Sequence, residues 1–155
     1  MTKQSRKMSE RYLVSSGSRF EPEVGFSRAV RVGAHISVAG TAPISATGGN
    51  AALGDVYGQT KRCLEIIDAA IAEAGGSLQN VTRTRVMLID MTTWREAARA
   101  HREYFGAIRP ACTFVQCLAS STRNGSWRLR PTLLWPRGIN SSASCTWWAM
   151  SASGH

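Results

Sequence analysis

In residues 27–40, SRAVRVGAHISVAG, the apolar side chains Val30, Val32, Ile36 and Val38 fall on alternate positions. A repeat of two is the repeat of a strand with one buried face. The alternation breaks at Gly33-Ala34, where glycine supplies the backbone angles of a tight turn, so the stretch predicts two strands in a hairpin. Residues 41–54 are rich in Gly, Ala, Thr and Ser and predict a loop.

The repeat then changes to that of a helix. In GDVYGQTKRCLEIIDAAIAEAGG, Val56, Cys63, Leu64, Ile67, Ile71 and Ala74 share one face, Asp55 suits the N-terminal end and Gly75 the stop. A strand is predicted over residues 81–89. A second helix opens at Thr93-Trp94-Arg95-Glu96, where threonine and glutamate are spaced to satisfy each other's orphan backbone donors. Its buried stripe is predicted as Trp94, Ala97, Ala98, His101 and Phe105. Another strand follows Pro110 in RPACTFVQ. The order β-β-α-β-α-β predicts an α+β layer, a sheet with two helices on one face. The other face then needs cover, from a partner subunit if not from its own chain. Arg83 and Arg85 lie on one face of the third strand, either in such an interface or in solvent.

Composition narrows the chemistry. The chain of 155 residues is long enough for one cored domain. Its basic opening, MTKQSRKMSERYL, lacks the apolar segment of a secretory signal, and no run is long enough to span a bilayer. The sequence therefore reads as cytoplasmic, with no membrane partner. Cys63, Cys112, Cys117 and Cys145 form no CxxC pair and no zinc spacing with His35, His101 or His155, so no metal is expected and the thiols read as reduced. The formal charge of +9 raises nucleic acid as a partner. The basic residues are scattered, however, with no interleaved aromatic platform, and a solvated basic surface is the better reading.

These segments in this order resemble the YjgF/Rid family, the reactive intermediate deaminases also called endoribonuclease L-PSP-like. The resemblance rests on VGFSRAVRVGAHISVAGTAPI, GDVYGQTKRCLEIIDAAIAEAGGSLQNVTRTRVMLIDM and EYFGAIRPACTFVQ. It implies a chorismate-mutase-like fold, a homotrimer, and ligand clefts between neighbouring subunits. Active members hydrolyse enamine and imine intermediates to keto acids and ammonia, without metal or cofactor. The implied ligand is a small carboxylate-bearing metabolite, and the implied ligand-binding positions are Phe26, Ala39, Gly40, Arg109 and Cys112.

Several of those positions depart from the family pattern. Phe26 stands where the family has its pocket tyrosine and lacks the hydroxyl. Ala39 replaces the serine before Gly40. Cys112 replaces the arginine of the Pro-Ala-Arg motif, the group that clamps a carboxylate bidentately. No catalytic residue is therefore assigned, Cys112 being the weak candidate with His101 as its activating base; the bland alternatives are a strand thiol and a packed histidine. Arg28 and Arg109 remain as sources of positive charge. The sequence favours a metabolite-binding member that is not an active imine deaminase. Weak imine hydrolysis and an RNA-directed, endoribonuclease-like activity are the alternatives.

The resemblance stops at Gln116. All ten acidic residues lie at or before Glu103, whereas four of the five tryptophans lie beyond Gln116. The family's last strand, with its Glu-Ile-Glu-Ala pattern and active-site glutamate, is not written here. If one G has been lost after the Gln116 codon, codons allowed by residues 117–135, read with that G restored, encode a string containing Leu-Val-Glu-Ile-Glu-Ala. The organisation expected is an extension over residues 1–20, a YjgF/Rid-like domain over 21–116, and an out-of-frame tail over 117–155. No regular structure is expected in residues 138–155. Residues 126–135 are compatible with an edge strand only, because Pro131 removes a ladder donor.

Overall fold

The computed structural model describes residues 10–117 and 147–153, the latter stretch as backbone. The predicted hairpin forms as β2 (Ala29–Val32) and β3 (His35–Val38), turning at Gly33 with φ 59°. Ala29 faces Val38 and Val32 faces His35. The long apolar stripe becomes α2 (Val56–Glu73), preceded by a short α1 (Phe20–Val24). All six residues predicted for its buried face are buried, with Cys63, Leu64, Ile67 and Ile71 fully so. Asp55 caps the helix by accepting from the Gly58 N–H at 3.0 Å. At the other end Gly75 takes φ 77°, and Arg31 donates to the Ala74 carbonyl at 3.0 Å. Both devices satisfy backbone groups that a helix leaves open.

The chain continues through β4 (Val81–Leu88), α3 (Trp94–Phe105) and β5 (Ala111–Gln116). Thr84, Val86 and Leu88 of β4 are buried beneath the helices, while Arg83 and Arg85 alternate to the exposed face. The right-hand part of the sheet is thus one-sided, as period-two alternation requires.

Two expectations for α3 are corrected. Thr93 makes no side-chain cap. Its hydroxyl instead donates to the Asp90 carbonyl at 2.7 Å, within a 3-10 turn over Met91–Thr93 that Asp90 caps through the Thr92 N–H. Local Asx geometry outcompetes the reciprocal cap. The buried positions of α3 are Ala97, Ala100 and Phe105, and Trp94 is 39% exposed.

Among the described residues the sheet has six strands: β1 (Arg11–Val14) and β6 (Trp147–Ser153) join the others in the order β1-β2-β3-β6-β4-β5. β4 and β5 are parallel, as a helical crossover demands, and the other pairings are antiparallel. Strand β1 (Arg11–Val14) lies inside the stretch read as an extension, and Leu13 pairs with Val30. The absence of regular structure expected for residues 138–155 is overturned at β6 (Trp147–Ser153), which lies between β3 and β4. The slot between those strands offers two rows of unpaired backbone donors and acceptors. A segment without proline, such as WWAMSAS, can satisfy both. Residues 138–146, 154–155 and the proposed edge strand over 126–135 lie outside the described residues.

A single core joins Val14, Ala29, Ile36, Val38, Val86 and Leu88 of the sheet to α2 and α3, so both helices cover the same face. The opposite face carries Leu13 at 54% and Val32 at 41% exposure, with exposed His35 and Ser37.

Candidate functional site

A cleft of about 530 Å³ opens on that face, which no helix among the described residues covers, at the edge formed by β1, β2 and β3. Its apolar part is built by Leu13, Phe26, Val30, Val38 and Ala39, and its charged lining residues are Arg11 and Glu21. Phe26 and Ala39, far apart in the hairpin sequence, meet here because Ala39 N donates to the Arg28 carbonyl at 2.9 Å, extending the β2–β3 ladder beyond its last pair. Gly40, next in the chain, is not among the lining residues; its carbonyl accepts from Arg28 Nη1 at 3.0 Å, and the same nitrogen donates to Thr41 Oγ1 at 3.0 Å. Arg28 Nε is buried and has no hydrogen-bond partner among the described residues. Burial lowers the pKa of this guanidinium, which stays charged beside Glu21.

Glu21 was not singled out in the sequence. Its side chain is only 8% exposed. Oε2 accepts from Ser15 Oγ at 2.5 Å, and Oε1 accepts from Ser16 N at 2.8 Å and Ser16 Oγ at 2.6 Å. Burial pushes the carboxyl up, but the Ser15 and Ser16 hydrogen bonds and the charge of Arg28 outweigh it and hold the pKa below its ordinary value. Glu21 is therefore an ionised, fixed carboxylate at neutral pH. No periodicity or capping pattern marks it: Arg19 is the N-cap of α1 without a side-chain cap bond, and Glu21 takes its donors from Ser15 and Ser16, before the helix.

Arg109 and Cys112 are placed elsewhere. Both precede or begin β5, at the opposite edge of the sheet, separated from β3 by β6 and β4. Arg109 ends the turn after α3 in the left-handed region with φ 53°, its N–H on the Phe105 carbonyl at 2.8 Å. Cys112 is exposed and lies opposite Thr84 in register. His101, its candidate base, has Nε2 3.0 Å from Thr84 Oγ1 and its ring 4.7 Å from that of Phe105. Burial pushes this imidazole down, so it is neutral at pH 7. His101 is a half-buried histidine packed between Thr84 and the Phe105 ring.

No cluster of three or more His, Cys, Asp or Glu suited to a metal occurs among the described residues. Among them, too, no helix is long and apolar enough to cross a membrane.

Comparison with known proteins converges on one group. The family model described as Endoribonuclease L-PSP matches residues 16–124. A RutC family protein of Pyrococcus abyssi is 40% identical over 91 residues, covering 59% of this chain and 72% of the relative. An uncharacterized protein of Streptomyces coelicolor is 40% identical over 104 residues, covering 66% and 75%. Among solved structures, a member of the YjgF/YER057c/UK114 family from Mycobacterium tuberculosis superposes with a TM-score of 0.71 at 33% identity, over 93% of this chain and 99% of that one. The YjgF gene product of E. coli gives 0.67 at 17% identity, over 92% and 93%, a likeness of fold.

Proposed function

Since this chain belongs to the endoribonuclease L-PSP family, the YjgF/Rid proteins, we propose that it binds a small metabolite in a cleft between subunits of a homotrimer and is not an efficient imine deaminase. The observation that carries this reading is the division of the candidate residues. Phe26 and Ala39 line a cleft at one edge of the sheet, whereas Arg109 and Cys112 stand at the other. Only a neighbouring copy, laid against the uncovered face, would join the two halves. The exposed Leu13 and Val32 on that face support such an arrangement.

The chemistry supports weak catalysis at most. Imine hydrolysis in this family uses an arginine fork for the carboxylate and a glutamate for the attacking water. Cys112 is no fork, and WWAMSAS in β6 contains no acid. Hydrolysis of a freshly generated 2-aminoacrylate-type imine is expected to proceed at the uncatalysed rate, while light scattering gives a mass of three chains. Rapid ammonia release would replace this reading with weak hydrolysis through Arg109. A monomeric mass would remove the intersubunit cleft. For the RNA alternative, binding would have to fall steeply with salt.

The tail belongs to the same proposal. Residues 117–155 are read as the product of a frame displaced after the codon for Gln116, which would account for the absence of acidic residues there. Sequencing the DNA across the codons for Cys112 to Trp135 from an independent source decides it: an additional G after the Gln116 codon restores the acidic last strand, and an unchanged sequence ends the idea.

A further inference from the structure

The sheet face that no helix among the described residues covers carries a pair of side chains outside the five positions implied by the family resemblance. We infer that Ser37 and His35 are a nucleophile and its base, which take an acyl group from an activated ester while the acyl chain lies along Val30 and Leu13. This is a covalent activity beyond metabolite binding. It rests on the reading that the cleft stays open to solvent between subunits.

Strand β3 sets the pair. Ile36 and Val38 are buried in the core, so His35 and Ser37, which alternate with them, stand together on the opposite face, and both are exposed. His35 Nε2 lies 3.0 Å from Ser37 Oγ. In the tautomer with its proton on Nδ1, Nε2 accepts the Ser37 hydroxyl, as a serine nucleophile requires of its base. Register supplies the rest of the site. Leu13 pairs with Val30 and Val30 with Ser37, and all three line the cleft. Paired residues share a face of the sheet, so an apolar row runs about 10 Å from the nucleophile, two strand spacings. That length suits a short to medium acyl chain.

The reaction balances on these groups. Ser37 Oγ bonds to the acyl carbon as its proton passes to His35 Nε2. The C–O or C–S bond to the leaving group breaks, and the leaving group takes the electron pair and that proton. Water then attacks the acyl carbon while His35 Nε2 accepts one of its protons. The Oγ–C bond breaks, and Oγ recovers the proton. No donor pair aimed at the developing oxyanion is identified among the described residues, which confines the acyl donor to activated esters, thioesters included.

The test treats the full-length chain with p-nitrophenyl acetate or p-nitrophenyl hexanoate and follows p-nitrophenolate release and peptide masses. The acyl group is expected on Ser37, and hexanoate should acylate about tenfold faster than acetate, through partial burial of its extra methylenes. Ser37→Ala should remove the label. His35→Gln should slow acylation about a hundredfold, the usual worth of a positioned base. Both side chains are exposed, so both variants should keep the wild-type circular dichroism. Leu13→Ser should narrow the preference for hexanoate. An acyl group found only on lysines or other serines, release that is unchanged in Ser37→Ala, or no acyl-enzyme at all overturns the inference. Light scattering on the same sample reports the trimer separately, and the label on Ser37 forms whether or not a metabolite binds.

Discussion

Glu21 shows how one side chain serves the fold and the cleft together. It ties Ser15 and Ser16, at the end of β1, to the first turn of α1. Because its pKa is depressed in the folded state, its contribution to stability is complete above the unfolded value near 4.5 and is lost as pH falls through the lower folded value. Glu21→Gln should therefore lower Tm at pH 7, and the gap from wild type should close in thermal melts below about pH 4.5. The opposite sign, a gap that widens in acid, would mean that the carboxyl is protonated in the fold. His101 works differently, since burial holds it neutral. Its unfolded form takes a proton first, so stability declines as pH drops below 6.5. Neither residue was legible in this role. Glu21 sits in a loop-proximal turn with no periodicity, and His101 was placed on the helix stripe but its bond to Thr84 depends on how α3 lies over β4.

At the scale of elements, α2 was the most legible part of the chain. Its apolar face repeats over five turns, and both terminal signals, Asp55 and Gly75, do what their chemistry predicts. Replacing Asp55 with Ala should cost about 1 kcal/mol in urea denaturation, the usual loss of an N-cap. A change below a few tenths would mean that the Gly58 N–H finds another acceptor. The start of α3 was less legible because two local solutions compete. Thr93 and Glu96 have capping-box spacing, but Asp90 lies three residues upstream of Thr93 and closes a 3-10 turn first. Strand β1 gave little signal, since RYLV is four residues long and exposes Tyr12 and Leu13. Its place depends on pairing with β2, which a local pattern does not contain.

For the molecule as a whole, two of the five positions that the resemblance implied, Phe26 and Ala39, line one cleft. The hairpin brings them together there, and Gly40 does not line it. Arg109 and Cys112 lie across the sheet, and a single chain does not bring them to the cleft. The sheet also depends on β6, which composition gave every reason to dismiss: no acid, paired tryptophans and many small residues. Its position follows from the vacancy between β3 and β4 and not from any feature of its own pattern. Amide exchange should show Trp147–Ser153 protected to a degree similar to that of β3 and β4. Exchange at the rate of an open coil would place the end of the chain outside the sheet. Deleting residues 147–153 should strip protection from His35–Val38 and Val81–Leu88 together, which a strand added at an edge would not do.

That central placement also bears on how the protein is born. His35 is paired with Ser153, and every strand on either side of β6 precedes it in the chain. While the polypeptide is being synthesised, β1-β2-β3 and β4-β5 emerge as two unfinished sheets, each with a naked inner edge. They can be joined only after the last strand leaves the ribosome. Closure over so long a separation is slow relative to local helix formation. In that interval the nascent chain presents two strand edges to any extended segment nearby, and those edges are where a chaperone would have to act.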